Sequence, residues 1–348
     1  MPPMPRMPPI VVIGTFGPRV KAARPEARGV RHSRARRCAW PTGGVEEKPS
    51  ELISAGQPVR DVVVGVDGSE GGYHAMAWAA GEAVRLAARL VVVHAYAQPI
   101  GVGSVAAGSR SPDARPEAEA LLARAHARYA RATQARALTA ELTAVGFAVV
   151  RGDACAVLVH HARRGAVVVV GRRGVGTFDR VAMGSISSAV AALAPGTVVV
   201  VPRAARVLAP RRVVVAVDPR TSSERLLETA FDEADRAGVP LTAAHAIDEG
   251  MFVGVTEGDL AWLGRLRAEA RADLEAQAAR WGEKYPGVRW SIDSRGGAAP
   301  GALLSALRSD DLVVTGGHAA SLQVGRARGG ASDRIVRHAP CAVSVVHE

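Results

Sequence analysis

Short, almost unbroken apolar runs recur along the chain, each closed by glycine, aspartate, alanine or proline. In the first half they are DVVVGVD at Asp61–Asp67, LVVVHA at Leu90–Ala95, FAVVRGD at Phe147–Asp153, AVVVVG at Ala166–Gly171 and TVVVVP at Thr197–Pro202. Runs of β-branched residues with no polar alternation predict strands buried on both faces. The intervening stretches change period. In YHAMAWAAGEAVRLAA, helical spacing gathers Met76, Ala80, Ala83, Val84 and Ala87 on one face and turns Glu82 and Arg85 to the other. A long Ala/Arg/Glu helix is predicted from about Pro116 to Ala144, with proline in the permitted first turn. Shorter helices follow at ACAVLVHHARR and SISSAVAAL. Five strands joined by helical crossovers predict a doubly wound α/β fold with a parallel sheet.

The pattern then repeats. RDVVVGVDGSE, Arg60–Glu70, aligns with RRVVVAVDPRT, Arg211–Thr221, at an offset of 151 residues, and the same offset sets His94 on His245. Farther on the offset is 145, which sets Gly171 on Gly316 and Pro195 on Pro340, so one net deletion of six residues lies between. The second half accordingly reads as RVVVAVD, ERLLETAFDEADRAG, LTAAHA, a long helix from about Asp259 to Lys284, VRWSID, ALLSALR, LVVTG, ASDRIVRH and AVSVV. The predicted organisation is a tail over 1–57, a first α/β domain over 58–203, a linker over 204–210 and a second α/β domain over 211–348. Each domain is expected to carry a five-stranded parallel sheet flanked by helices.

Charge changes the picture mainly at the tail. The chain of 348 residues carries a net +11, and residues 1–57 hold ten Lys/Arg against four Glu, so six of those charges belong to the tail. Rich in Pro and Arg and without periodicity, the tail is predicted to be disordered. Its patch IVVIGTFG is too short and too bounded by proline for a secretory signal. A translation start downstream of it is an open alternative. Its cluster RHSRARR is the one place where nucleic acid could be contacted. No apolar run approaches the ~20 residues of a membrane span. Cys38, Cys155 and Cys341 stand far apart with no C-x-x-C pair, which argues against a disulfide framework or zinc site. A reducing cytoplasm is the expected setting.

Candidate chemistry lies at strand ends, because open parallel sheets bind ligands beyond their carboxyl edges. GRRGVGTFDRVAMGS, Gly171–Ser185, follows the fourth strand with the spacing G-x2-G-x9-G-S. Glycine admits backbone N–H groups to a phosphate, and a helix N-terminus adds further donors. A plain strand-to-helix turn with Ser185 as N-cap is the alternative. The P-loop pattern G-x4-G-K-[ST] is absent, and GVGTFD lacks the third glycine of a dinucleotide fingerprint. Asp67, before Gly68, offers an acceptor or a turn. His94 and His245 end matching strands and are read as hydrogen-bonded structural residues. His160 and His161 have no ligand cluster around them, so no metal site is expected.

Together, the spaced glycines, VVVGVDGSEGG at the first strand and APGTVVVVP at the last resemble the ATP-binding branch of the universal stress protein family, over both repeats. The resemblance implies ATP as ligand, with or without Mg2+. Adenine would meet Gly65, Val66, Asp67 and Ala95, while ribose and phosphates would meet Gly171, Arg173, Gly174, Gly184, Ser185, Ile186 and Ser187. The matching second-copy residues are Asp218, Gly316, Gly329 and Ser332. There Ala319 replaces the second glycine, Gly330 replaces the serine and Pro219 follows the aspartate, which predicts weak nucleotide binding or none.

The resemblance further implies a stress-response or dormancy regulator acting through nucleotide-dependent conformation or partner binding. Any ATP hydrolysis is expected to be slow, because the sequence offers no evident general base and no clear pair of magnesium-binding carboxylates beside the loop. The resemblance also implies that the two domains form an intramolecular pseudo-dimer through TVVVV and AVSVV. Whether two chains form a homodimer stays open. The alternatives are an ATP-using enzyme with an unidentified acceptor, or an interaction protein that binds no nucleotide.

Overall fold

The computed structural model describes residues 11–12, 61–97, 113–134, 144–174, 183–207, 209–217, 224–248, 257–297, 299–317 and 331–347. The valine runs form the strands expected of them. In the first repeat these are β2 (Asp61–Gly65), β3 (Arg89–Tyr96), β4 (Val145–Arg151), β5 (Val167–Gly171) and β6 (Thr197–Val201), alternating with helices α1 (Glu70–Arg85), α2 (Arg115–Gln134), α3 (Ala154–Arg163) and α4 (Ser185–Leu193). In the second repeat they are β7 (Arg212–Ala216), β8 (Leu241–Asp248), β9 (Trp290–Gly297), β10 (Asp311–Gly316) and β11 (Ala342–Val346). The helices there are α5 (Glu224–Ala237), α6 (Glu257–Lys284), α7 (Ala299–Leu304) and α8 (Ala331–His338). From the tail only Val11–Val12, β1, is described, parallel to β4 with Val11 beside Gly146.

All strands belong to one sheet, in the order β1-β4-β3-β2-β5-β6-β11-β10-β7-β8-β9. Every neighbouring pair is parallel except β6 and β11, which run antiparallel with Val200 opposite Val343 and Val198 opposite Val345. The two doubly wound units are therefore joined through TVVVV and AVSVV into a continuous sheet. The valines explain why both faces are covered: Val62 and Val64 pack into one core layer and Val63 into the other, since successive side chains leave a strand on opposite faces. None of the described helices is long and apolar enough to cross a membrane.

Two expectations for the first helices need correction. The Glu82–Arg85 face of α1 does not meet water: Glu82 is 2% exposed and ion-paired to Arg85, whose guanidinium stands 5.5 Å over the Trp78 ring. The inter-repeat linker covers that face, with the ring Nε2–H of His74 donating to the Ala205 carbonyl at 2.7 Å. Ala87 lies beyond the helix, at φ 47°. The long helix α2 ends at Gln134, and the rest of its expected span, 135–143, falls outside the described residues.

Candidate nucleotide cleft

In the first repeat the chain leaves β2 for β3 on one side and returns to β5 on the other, so the carboxyl ends of β2 and β5 flank the point where strand order reverses. A cleft of 240 Å³ opens there, close to the lower end of the roughly 300–1,000 Å³ usual for small-molecule sites. Gly65, Val66 and Asp67 line it from β2, Ala95 from β3, Gly171, Arg173 and Gly174 from β5, and Gly184, Ser185, Ile186 and Ser187 from α4. The structure thus gathers every first-repeat position named from the sequence. It adds Ala154 and Leu158 of α3, which sequence reasoning missed. The signal for them was Asp153, which closes the FAVVRGD run and caps α3.

The glycines differ in what holds them. A Cβ on Gly171 would stand 2.8 Å from the backbone carbon and oxygen of Gly71, so the start of α1 packs directly on the end of β5. A Cβ on Gly174 would overlap Oδ2 of Asp67. Gly184 is different: a Cβ there would find its nearest neighbours at 3.7 Å, ordinary contact, and φ is −68°. Packing among the described residues does not require glycine at 184.

Three helices begin at the cleft, and their first turns are treated differently. Ser69 caps α1, its hydroxyl oxygen accepting from the Gly72 N–H at 3.0 Å, and Asp153 caps α3, accepting from the Ala156 N–H at 2.9 Å. The N-cap of α4 is Gly184, with no side-chain cap bond. The alternative of a plain turn with Ser185 as N-cap does not hold in that form: Ser185 is the first residue of the helix, with its side chain exposed at the cleft. With no side-chain cap among the described residues, the first turn of α4 brings its N–H groups and the positive end of the helix dipole to the cleft beside Arg173.

Asp67 realises the turn alternative. Its Oδ1 accepts from the Ser69 N–H at 3.0 Å and from the Ser69 hydroxyl at 2.6 Å. The Ser187 hydroxyl donates to the Gly171 carbonyl at 2.6 Å, bracing α4 against β5. His94 is structural as expected, its Nδ1–H donating to the Val66 carbonyl at 2.8 Å. His245 is fully buried.

Of the second-repeat positions, Asp218 and Gly329 lie outside the described residues. Gly316 ends β10, and Ser332 sits in α8, where its hydroxyl oxygen accepts from Thr315 at 3.0 Å. Burial pushes the Cys341 thiol, at the start of β11, up to about 12, with Asp311 adding to the shift.

Comparison with known proteins agrees with the repeat. The model of the "Universal stress protein family" matches residues 58–202 and again 210–347. A universal stress protein of Mycobacterium tuberculosis (strain H37Rv) is 32% identical over 313 residues, covering 84% of this chain and 96% of that protein. One from Mycolicibacterium smegmatis is 32% identical over 299 residues, covering 82% and 96%. Among solved structures, a universal stress protein from Archaeoglobus fulgidus superposes with a TM-score of 0.57 at 17% identity, over 82% of this chain and 98% of that one, a likeness of fold.

Proposed function

The chain belongs to the universal stress protein family, and from that premise we propose that it is a stress-response regulator that binds ATP in its first repeat and not in its second. The observation that carries this reading is the first turn of α4: among the described residues it has no side-chain cap, packing does not demand its glycine at 184, and Arg173 lies alongside. These are the features an anion needs, namely free backbone donors, room for close approach and positive charge. Phosphates meet Gly184, Ser185, Ile186 and Arg173. Adenine lies toward Gly65, Val66 and Ala95, against the turn that Asp67 closes. Any Mg2+ would travel with the phosphates.

Occupancy, rather than turnover, is the working state. Among the described lining residues the carboxylate, Asp67, is engaged through Oδ1 by the Ser69 N–H and hydroxyl, which weighs against its service as a general base. ATP binding then biases a conformation or a partner contact, in a cytoplasmic setting. Purifying the full chain and identifying any co-purifying nucleotide, followed by ATP calorimetry, tests the reading. Micromolar or tighter ATP binding is expected, and a chain that neither carries nor binds adenine nucleotide would refute it.

A further inference from the structure

The antiparallel pairing of β6 with β11 relates the repeats as approximate mates, and the 145-residue offset equates Arg172 with Gly317 and Pro202 with His347. Their backbones keep the relation. The Arg172 N–H donates to the Val201 carbonyl at 2.9 Å, and the Gly317 N–H donates to the Val346 carbonyl at 2.8 Å. The side chains break it. Arg172 reaches across the junction, its Nη1 donating to the Ala339 carbonyl at 2.6 Å. Gly317 has nothing to send back, and the space a Cβ would take there is filled by the His347 ring. That ring points into the first repeat, where its Nε2–H donates to the Ala191 carbonyl in α4 at 2.8 Å. The His347 N–H also donates to the Gly196 carbonyl at 2.9 Å.

Both bonds therefore bear on the two walls of the first cleft. Arg172 stands between Gly171 and Arg173, which line it, and the Gly184 N–H donates to the Arg172 carbonyl at 2.9 Å, tying that loop to the start of α4. Ala191 belongs to α4, whose first turn also lines the cleft. Neither Arg172 nor His347 is itself among the lining residues.

We propose that the second repeat serves as a buttress for the first: Arg172 and His347 are positioning residues that fix the Gly171–Gly174 loop and α4 at the separation ATP requires. The inference rests on the reading of the cleft as an ATP site. It gives a repeat with a degraded ligand loop a reason to keep its fold. By linkage, ATP must in turn tighten the β6–β11 junction, because coupling between two sites is reciprocal.

The test compares ATP affinity, by calorimetry on the full chain, for the unmutated protein, Arg172→Ala, Arg172→Lys, His347→Phe and Arg206→Ala. The last is a control, since Arg206 of the inter-repeat linker meets Asp310 of the second repeat at 3.9 Å and is not a lining residue. Arg172→Ala and His347→Phe are each expected to weaken ATP binding roughly five-fold or more, the lower range of measured couplings. Arg172→Lys should recover part of the loss, and Arg206→Ala should leave affinity unchanged. Hydrogen exchange supplies a readout that a merely structural role would not move: ATP should slow exchange along β11 in the unmutated chain and not in His347→Phe. Variants with native circular dichroism and melting that bind ATP as the unmutated chain does would overturn the proposal, as would an equal loss in Arg206→Ala. If Arg172→Ala does not fold, Arg172→Lys and His347→Phe decide. Absence of ATP binding by the unmutated chain would instead overturn the reading of the cleft.

Discussion

The two repeats share a strand pattern, a sheet order and even the backbone bond that follows the fourth strand, yet the described residues at the ends of their fourth strands meet different neighbours. In the first, Gly171 makes room for α1, Gly174 for Asp67, and Gly184 for no close neighbour among the described residues. In the second, Gly317 makes room for the His347 ring. A glycine in such a loop can thus answer to packing, to a side chain across the cleft or to a ligand, and only the geometry separates these. Packing suffices to explain Gly171 at the end of the fourth strand in the first copy and Gly317 just past it in the second. It does not explain Gly184, and that residue carries the ligand argument.

Substitutions can break this division, beginning with the largest effect. Gly171→Ala drives a methyl into the Gly71 backbone, so denaturant unfolding should show a loss of about 2–3 kcal/mol, the scale of overpacking a tight contact. Wild-type stability in that variant would mean that α1 does not pack on β5 as described. Gly184→Ala should behave in the opposite way. Its φ of −68° suits alanine, and the entropy gained against the unfolded chain offsets the poorer N-cap, so stability should stay within about 0.5 kcal/mol. ATP affinity should nevertheless fall about ten-fold, equivalent to 1.4 kcal/mol. Gly174→Ala is a poorer probe, because it displaces Asp67 and perturbs fold and ligand together.

A matched pair sharpens the comparison. Ser187→Ala removes the bond to the Gly171 carbonyl, and Ser332→Ala removes the acceptor of Thr315. Each should cost about 1 kcal/mol in denaturant melts, but only the first should also weaken ATP binding. The smallest effect is invisible at neutral pH. Cys341 in the second repeat and Tyr129 in the first are both raised to about 12 by burial, from ordinary values of 9.0 and 10.0. The unfolded chain loses these protons first, so stability is intact below pH 9 and declines as pH rises toward 12. A Cys341→Ala variant should lose the part of that decline that begins near pH 9, measured by melting temperature against pH.

Local signals were legible in the chain because a local cause made them. Runs such as AVVVVG have no polar face, so they had to lie in a covered parallel sheet, and the duplication reported its own register through paired residues such as His94 and His245. The first cleft was legible through its spacing, since strand ends and a helix start fix where Gly171, Gly184 and Ser185 must go. Contacts between distant segments were not. Glu82 and Arg85 stand on the polar side of α1, yet Glu82 is buried and ion-paired to Arg85, and the linker returns to the same helix through the His74 bond to the Ala205 carbonyl. Ser185 has the chemistry of an N-cap, but the chain enters α4 one residue earlier, leaving Gly184 in the cap position. Arg172 beside Arg173 looks like a second phosphate ligand. It is drawn away by a carbonyl 167 residues farther on, which no spacing rule within the loop could indicate.

The central claim is that a fold duplicated in sequence keeps one nucleotide site. Calorimetric titration of ATP into the full chain, repeated with Gly184→Ala, tests it most directly. The account predicts one ATP per chain, with affinity reduced about ten-fold by the methyl group at 184. Two sites of similar affinity, or one site indifferent to Gly184→Ala, would contradict it.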